Sequence, residues 1–213
     1  VAESLPPELE AEPAVAAELF GERIGLARAY ASDLALRGEE LGLVGPLEIP
    51  RLWTRHILNS ALLAPLLKPG RVGDIGSGAG LPGLVLAIAR PDVNLVLIEP
   101  MERRVDWLRH EAAALGLDNV EVVRARAEEA KLTSRLDQAT ARAVSALSKL
   151  IPLTVPLVRS GGELLFLKGA SVTAEVEAAA KAIRKARLTD VEVLTLGTGV
   201  VAEVTRVFRA TVD

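Results

Sequence analysis

Val72-Gly73-Asp74-Ile75-Gly76-Ser77-Gly78-Ala79-Gly80-Leu81-Pro82-Gly83 is the stretch whose reading decides the fold. A short apolar run enters a loop of alternating glycines, and apolar residues leave it at helical spacing. Glycines at a strand–helix junction let a ligand approach the backbone, and the helix start offers free N–H groups. Outward from this loop, short apolar runs at 72–75, 94–98, 120–124, 137–141 and 163–167 read as buried strands. Helical stretches are expected between them at 80–90, 100–115, 147–158 and 171–188. Strand–helix alternation at this spacing predicts a parallel sheet covered on both faces. The end differs: β-branched runs at 190–196 and 201–209, joined by Leu196-Gly197-Thr198-Gly199-Val200, predict an antiparallel hairpin.

Before the loop the texture is helical. Phe20, Ile24, Ala27, Ala31 and Leu34 share one helix face, and a second helix is expected over 51–67, stopped by Lys68-Pro69-Gly70. The expected organisation is a flexible acidic leader over 1–12, a helical extension over 13–70 and an α/β domain over 71–213.

Two cofactors use a glycine loop of this kind. Gly78, Gly80 and Gly83 match the G-x-G-x-x-G spacing of dinucleotide binding, a weak signal alone. Three features favour S-adenosylmethionine (SAM). Asp74 ends the first strand, where a carboxylate suits a cationic methionine moiety and repels a pyrophosphate. An extension of some 70 residues precedes the loop, whereas dinucleotide folds usually open with it. The terminal hairpin is foreign to an all-parallel dinucleotide sheet. Glu99 ends the second strand, where an acid accepts ribose hydroxyls of either cofactor. The expected fold class is therefore Rossmann-like, resembling the SAM-dependent methyltransferases: a mostly parallel seven-stranded sheet, a terminal antiparallel hairpin and an N-terminal helical extension.

Composition narrows the chemistry. The 213 residues are half hydrophobic and a quarter charged, as for a soluble globule. There is no cysteine, so thiolate metal sites and a Cys nucleophile are excluded. Two histidines, His56 and His110, make a His-built zinc site improbable, and no metal is expected. No apolar run reaches membrane-helix length, and the acidic, Pro-rich first twelve residues do not read as a secretory signal. A cytoplasmic protein with no membrane partner is expected. The net charge of −3 divides into −6 over residues 1–40 and +3 over 41–213, so an acidic leader masks a mildly basic body.

Five blocks together resemble the RsmG (GidB) family of small-subunit ribosomal RNA methyltransferases, over about residues 37–170. Arg55-His56-Ile57-Leu58-Asn59-Ser60 is similar to R-H-x-L-D-S, with Asn59 where the family usually has Asp. Asp74–Gly83 is similar to D-x-G-x-G-x-G-x-P-G, and Arg103-Arg104-Val105-Asp106-Trp107-Leu108 to K-R-V-x-F-L. Arg142-Ala143 is similar to S-R-A, and Gly161-Gly162 through Leu167-Lys168-Gly169 to G-G-x-x-x-x-L-K-G. The resemblance implies 7-methylguanosine formation in 16S rRNA, with SAM contacts at Gly76, Leu81, Ala127, Glu128 and Arg142. Gly78, Asp74 and Glu99 complete the expected cofactor site.

The residues agree on their own terms. Cytosine C5 transfer uses a Cys nucleophile, which is missing. Exocyclic amine transfer uses an Asn/Asp-Pro-Pro-aromatic loop, whereas Ala141-Arg142-Ala143-Val144 follows the fourth strand. Ribose transfer usually needs a Lys-Asp-Lys-Glu set. Guanine N7 needs no base, only alignment of its lone pair. Arg142, at a strand's carboxyl end, is the expected positioning residue, and Lys168 at the next is placed to meet a phosphate. RNA contacts are expected from Arg51, Arg55, Arg103, Arg104, Lys149 and Lys168, since a guanidinium suits phosphate and a guanine edge. The partner is then 16S rRNA or the small subunit, and the enzyme is expected to be a monomer. A SAM methyltransferase for a small molecule or protein, and a non-catalytic nucleotide-binding module, remain as alternatives. Salt-sensitive substrate binding separates the first alternative and SAM turnover the second.

Overall fold

The structure is a computed structural model that describes residues 8–213. Strands β1 (Arg71–Ile75), β2 (Asn94–Ile98), β3 (Val120–Val123), β4 (Leu136–Arg142) and β5 (Val158–Lys168) run parallel. Strands β6 (Leu188–Leu196) and β7 (Thr205–Val212) form the hairpin, and β7 inserts antiparallel between β5 and β6. The order β3-β2-β1-β4-β5-β7-β6 makes one seven-stranded sheet. Chain direction across the sheet reverses between β1 and β4, so their carboxyl ends open a crevice where such sheets bind ligands.

Alternation along the strands divides the core in two. Val72, Leu95, Leu97, Leu165 and Leu167 face one side, where helices α1 (Val15–Phe20), α2 (Ile24–Arg37), α4 (Gly83–Ala89) and α5 (Glu102–Ala114) bury their apolar stripes. A π-helical stretch, Leu52–Leu58, runs into a short α3 (Asn59–Ala61) on that side too. Ile75, Val96, Ile98, Leu164 and Phe166 face the other side, covered by α6 (Leu147–Thr154), α7 (Val172–Ala178) and α8 (Ala180–Lys185). Phe20, Ala27, Ala31 and Leu34 are buried as the helical spacing predicts. They share one apolar cluster with α4 and α5, so the extension and the sheet are joined by a continuous core.

Several boundaries move, each for a local reason. The helix expected from residue 80 starts at Gly83, because Gly78 and Gly80 hold φ of +58° and +95°, outside helical geometry. The stretch expected as one helix over 171–188 divides at Ala179, whose ψ of 2° departs from helical geometry. The last strand begins at Thr205 rather than 201, because Val200 and Val201 donate their N–H groups back to Gly197 and prolong the turn. Of the leader expected to be flexible, residues 1–7 lie outside the described residues, but 8–12 are docked. Glu10 accepts hydrogen bonds from Thr54 N and Oγ1 at 3.0 and 2.8 Å, and Glu12 pairs with Arg28 at 2.5 Å. Two of the acids that suggested a solvated tail, Glu10 and Glu12, have partners.

Candidate active site

The glycine loop hangs between two buried acids. Asp74 is fully buried at the end of β1; its Oδ2 accepts from Ser77 Oγ at 2.6 Å and from Gly83 N at 2.9 Å. One carboxylate oxygen thus ties the loop's start to the first turn of α4. A Cβ at Gly83 would strike Asp74 Oδ2 at 2.5 Å, so only glycine lets the helix come this close. The other oxygen, Oδ1, is buried with no partner. Burial pushes the Asp74 carboxyl up to about 6, against the pull of Ser77, Gly83 and the Arg142 charge. Glu99, also buried, accepts from Gly78 N at 2.9 Å and Met101 N at 3.0 Å. Those bonds fix its orientation and leave lone pairs on both oxygens.

The crest of the loop is held from behind. Ala79 O accepts from Tyr30 Oη and from Trp107 Nε1, each at 2.9 Å. Tyr30 is on α2 and Trp107 on α5, with the Arg37 guanidinium 5.4 Å over the Trp107 ring centre. A carbonyl has two lone pairs, and both are used.

Across the switch point lies an open cleft of about 1070 Å³. Arg142, at the end of β4, is its centre: Nη2 donates to His56 Nδ1 and Nη1 to Arg55 O at 3.2 Å. His56 Nε2 meets Glu48 Oε2 at 2.5 Å, and Arg55 Nε approaches the same oxygen at 3.3 Å. Arg206 lies opposite Lys168 in the β5–β7 register, and Asn59 and Glu203 line the cleft beside it. Gly76 joins the two halves: a Cβ there would lie 3.0 Å from Val144 Cγ2, just past β4.

The expected site residues separate into groups. Asp74, Gly76, Gly78, Leu81 and Glu99 gather at the carboxyl ends of β1 and β2. Ala127 is buried and Glu128 exposed, on a single 3-10 turn after β3. Arg55, Arg142 and Lys168 line the same cleft. Asp74 braces the loop from beneath through Oδ2, while its Oδ1 stays without a protein partner. Lys168, at the end of β5, donates its ammonium to Ser145 O and Glu175 Oε2, both at 2.8 Å. Arg51 is paired with Glu203 at 3.0 Å. Arg103 and Arg104 start α5 beside Gly42 and line no part of the Arg142 cleft; Lys149, exposed on α6, does not line it either. Glu48, His56, Glu203 and Arg206 escaped sequence reasoning as site residues. His56 carried a signal, being next to Arg55 in the R-H-x-L-x-S block; Arg206 became visible only through strand register.

The residues fit SAM. Asp74 Oδ1 is a buried acceptor without a partner, which a cationic group answers. Gly78 leaves open space where a side chain would stand, since a Cβ there meets only Gly76 O at 3.8 Å. Glu99 holds an acceptor pair at the end of β2 for a ribose. A pyrophosphate would face two buried carboxylates, and β7 breaks the all-parallel pattern of dinucleotide sheets. The class is that of the SAM-dependent methyltransferases. Solved structures share the fold at low identity. N-methyltransferase NodS from Bradyrhizobium japonicum, in complex with S-adenosyl-L-homocysteine, matches with TM-score 0.55 and 17% identity, over 89% of this chain and 97% of that one. The tRNA (m1A58) methyltransferase TrmI from Aquifex aeolicus matches with TM-score 0.56 and 16% identity, over 73% and 68%. Closer in sequence, the ribosomal RNA small subunit methyltransferase G of Clavibacter sepedonicus is 70% identical over 96% of this chain and 97% of its own length. That of Pseudarthrobacter chlorophenolicus is 53% identical over 95% and 94%. The model of the rRNA small subunit methyltransferase G family, GidB, matches residues 23–203, and the chain belongs to that family.

Proposed function

We propose that the protein transfers the methyl group of SAM to N7 of a guanine in 16S small-subunit rRNA, acting as a monomer in the cytoplasm. One observation carries the choice of acceptor. The cleft beside the glycine loop is built around Arg142, a donor with no acceptor atom, and the acids that line it, Glu48 and Glu175, are engaged by Arg55, His56 and Lys168 rather than free as a base aimed at the loop.

SAM supplies an electrophilic methyl group on a positively charged sulfur. The rest is positioning. Glu99 would orient the ribose from β2, and the open backbone at Gly78 would make room for the methionine end, whose ammonium the unpartnered Oδ1 of the buried Asp74 would meet. Ala127 and Glu128 border the adenine side. Arg142 presents guanidinium N–H groups on the acceptor side, suited to a guanine edge that offers only acceptors at N7 and O6. Alignment of the N7 lone pair with the methyl–sulfur bond is then the main contribution, because no proton leaves N7. Arg55 and Arg206 at the cleft, with Arg51 at its rim, provide charge for the RNA backbone, in keeping with a family that acts on rRNA. Family membership and the arginine-lined cleft favour this reading over a small-molecule or protein substrate.

Purified protein, SAM with a labelled methyl group, and small subunits from cells lacking the gene provide the test. The expected product is one 7-methylguanosine in 16S rRNA, found by mass spectrometry of nuclease fragments. Label on an exocyclic amine or a ribose oxygen would replace the N7 assignment.

A further inference from the structure

Arg142 does not hold its own geometry. A guanidinium has five donors and no acceptor, so the His56 nitrogen it meets, Nδ1, must carry a lone pair. The ring proton is then on Nε2, where Glu48 Oε2 stands ready to accept it at 2.5 Å. Two segments distant in sequence, 48–56 and the end of β4, form one chain: carboxylate, neutral imidazole, guanidinium. His56 is buried, with its ring edge on the cleft, and Ser60 Oγ bonds its backbone carbonyl at 2.7 Å, fixing the helix that carries it.

We propose that Glu48 and His56 are positioning residues for methyl transfer: neutral His56, its proton held on Nε2 by Glu48, is the acceptor that aims Arg142 into the cleft. The inference rests on Arg142 as the residue that aligns the acceptor base. Protonated His56 has a donor on both nitrogens. It then has no lone pair for Arg142 and a positive charge facing it, so the guanidinium must turn away. Burial and the neighbouring Arg142 charge hold the imidazole below its ordinary value of 6.5, and Glu48 opposes them in part. The neutral form therefore prevails at neutral pH and is lost on acidification. The other charged groups nearby are Arg55, one residue before His56, and Asp74 and Tyr30 beyond Arg142; Arg206, Glu203 and the Lys168–Glu175 pair line the same cleft.

Single-turnover methyl transfer to small subunits, at saturating SAM and subunit, is measured from pH 5 to 8.5. Wild type is expected to be flat at the alkaline end and to fall below the ordinary histidine range with a slope near one. His56→Ala is expected to slow transfer by about 10- to 100-fold at neutral pH, with SAM affinity near wild type. His56→Gln, which keeps an acceptor and a donor but cannot titrate, is expected to recover much of the neutral rate and to lack the acid limb. Glu48→Gln removes a negative charge that favours protonated His56, so the limb moves to lower pH. If His56→Ala transfers at the wild-type rate, or if the limb survives unmoved in His56→Gln, the relay is wrong and the limb belongs to another group such as Asp74. Arg142→Ala separates the two ideas: a normal rate there overturns the role of Arg142, whereas a slow Arg142→Ala beside a normal His56→Ala overturns only the relay. Circular dichroism and melting curves identify any variant that fails to fold; Glu48→Gln and His56→Gln then carry the test.

Discussion

The two halves of the cleft are built on opposite plans. The half under β1 and β2 is made of backbone and buried acids: Asp74 and Glu99 lie inside, and the groups they hold are the N–H groups of Gly83, Gly78 and Met101 plus one hydroxyl. The half under β4, β5 and β7 is made of long basic side chains, three of them set against acids: the half-exposed Arg55 with Glu48 and Arg51 with Glu203, and the more enclosed Lys168 with Glu175. The first suits a small cationic ligand that must fit one way. The second suits a large polyanion, because exposed arginines can exchange a protein acid for a phosphate at little cost. Arg142 is the point of contact, since its charge acts on Asp74 on one side and its hydrogen bonds run to His56 and Arg55 on the other.

The contrast can be broken most severely at that contact. Arg142→Ala is expected to reduce single-turnover transfer about 100-fold while SAM binding changes little; equal losses in both would erase the division of labour. On the cofactor side, Glu99→Ala is expected to weaken SAM binding by about 1–3 kcal/mol in calorimetry, through loss of a charged acceptor. RNA binding by gel shift is expected to be unchanged.

The two halves also titrate differently. Asp74, held at about 6 by burial, is the carboxyl a bound cation would pull down. At acid pH binding must first expel its proton, so SAM affinity is expected to fall as pH drops through 6, by about tenfold at pH 5, and to be constant above 7. Asp74→Asn is expected to flatten that curve at low affinity. A flat wild-type curve would show that Asp74 only braces the loop. The His56 limb, by contrast, belongs to the transfer rate at saturating ligand.

Smaller effects test the periphery. Tyr30→Phe removes one of two donors to Ala79 O and is expected to cost about 1 kcal/mol of stability in urea melts, with a few-fold loss in SAM affinity. Arg103→Ala with Arg104→Ala is expected to leave transfer intact and to make the salt dependence of RNA binding shallower by about one unit of slope. An unchanged slope would confine the RNA footprint to the Arg55–Arg142–Arg206 cleft.

How much of this was legible follows from the same contrast. The cofactor half is local: Asp74 to Gly83 is one segment, its glycines are forced by positive φ and by the approach of α4 to Asp74, and Glu99 follows at the next strand end. Period and spacing therefore reveal it. The acceptor half is assembled from residues 48–56, 142–146, 168–175 and 203–206, which meet only through the sheet order and the hairpin register. Strand ends pointed to Arg142 and Lys168, yet nothing along the chain shows that Glu175 occupies the lysine or that His56 accepts from the arginine. Arg103 and Arg104 lie apart from that cleft for a related reason. A basic pair beside a strand end looks like a cleft mouth, but the helix turns it toward Gly42.

The carbonyl of Ala79 carries a last consequence. One of its two donors arrives from the N-terminal helices and the other from the sheet domain, so the crest of the ligand loop is shared property. Any ligand that prefers the loop in this shape must also favour the docked state of α2, by the reciprocity that couples two equilibria through a common element. Amide exchange along Ile24–Arg37 should therefore slow when SAM is added. A chain trimmed to its sheet would lose this thermodynamic lever. The helical extension is in that sense part of the binding constant.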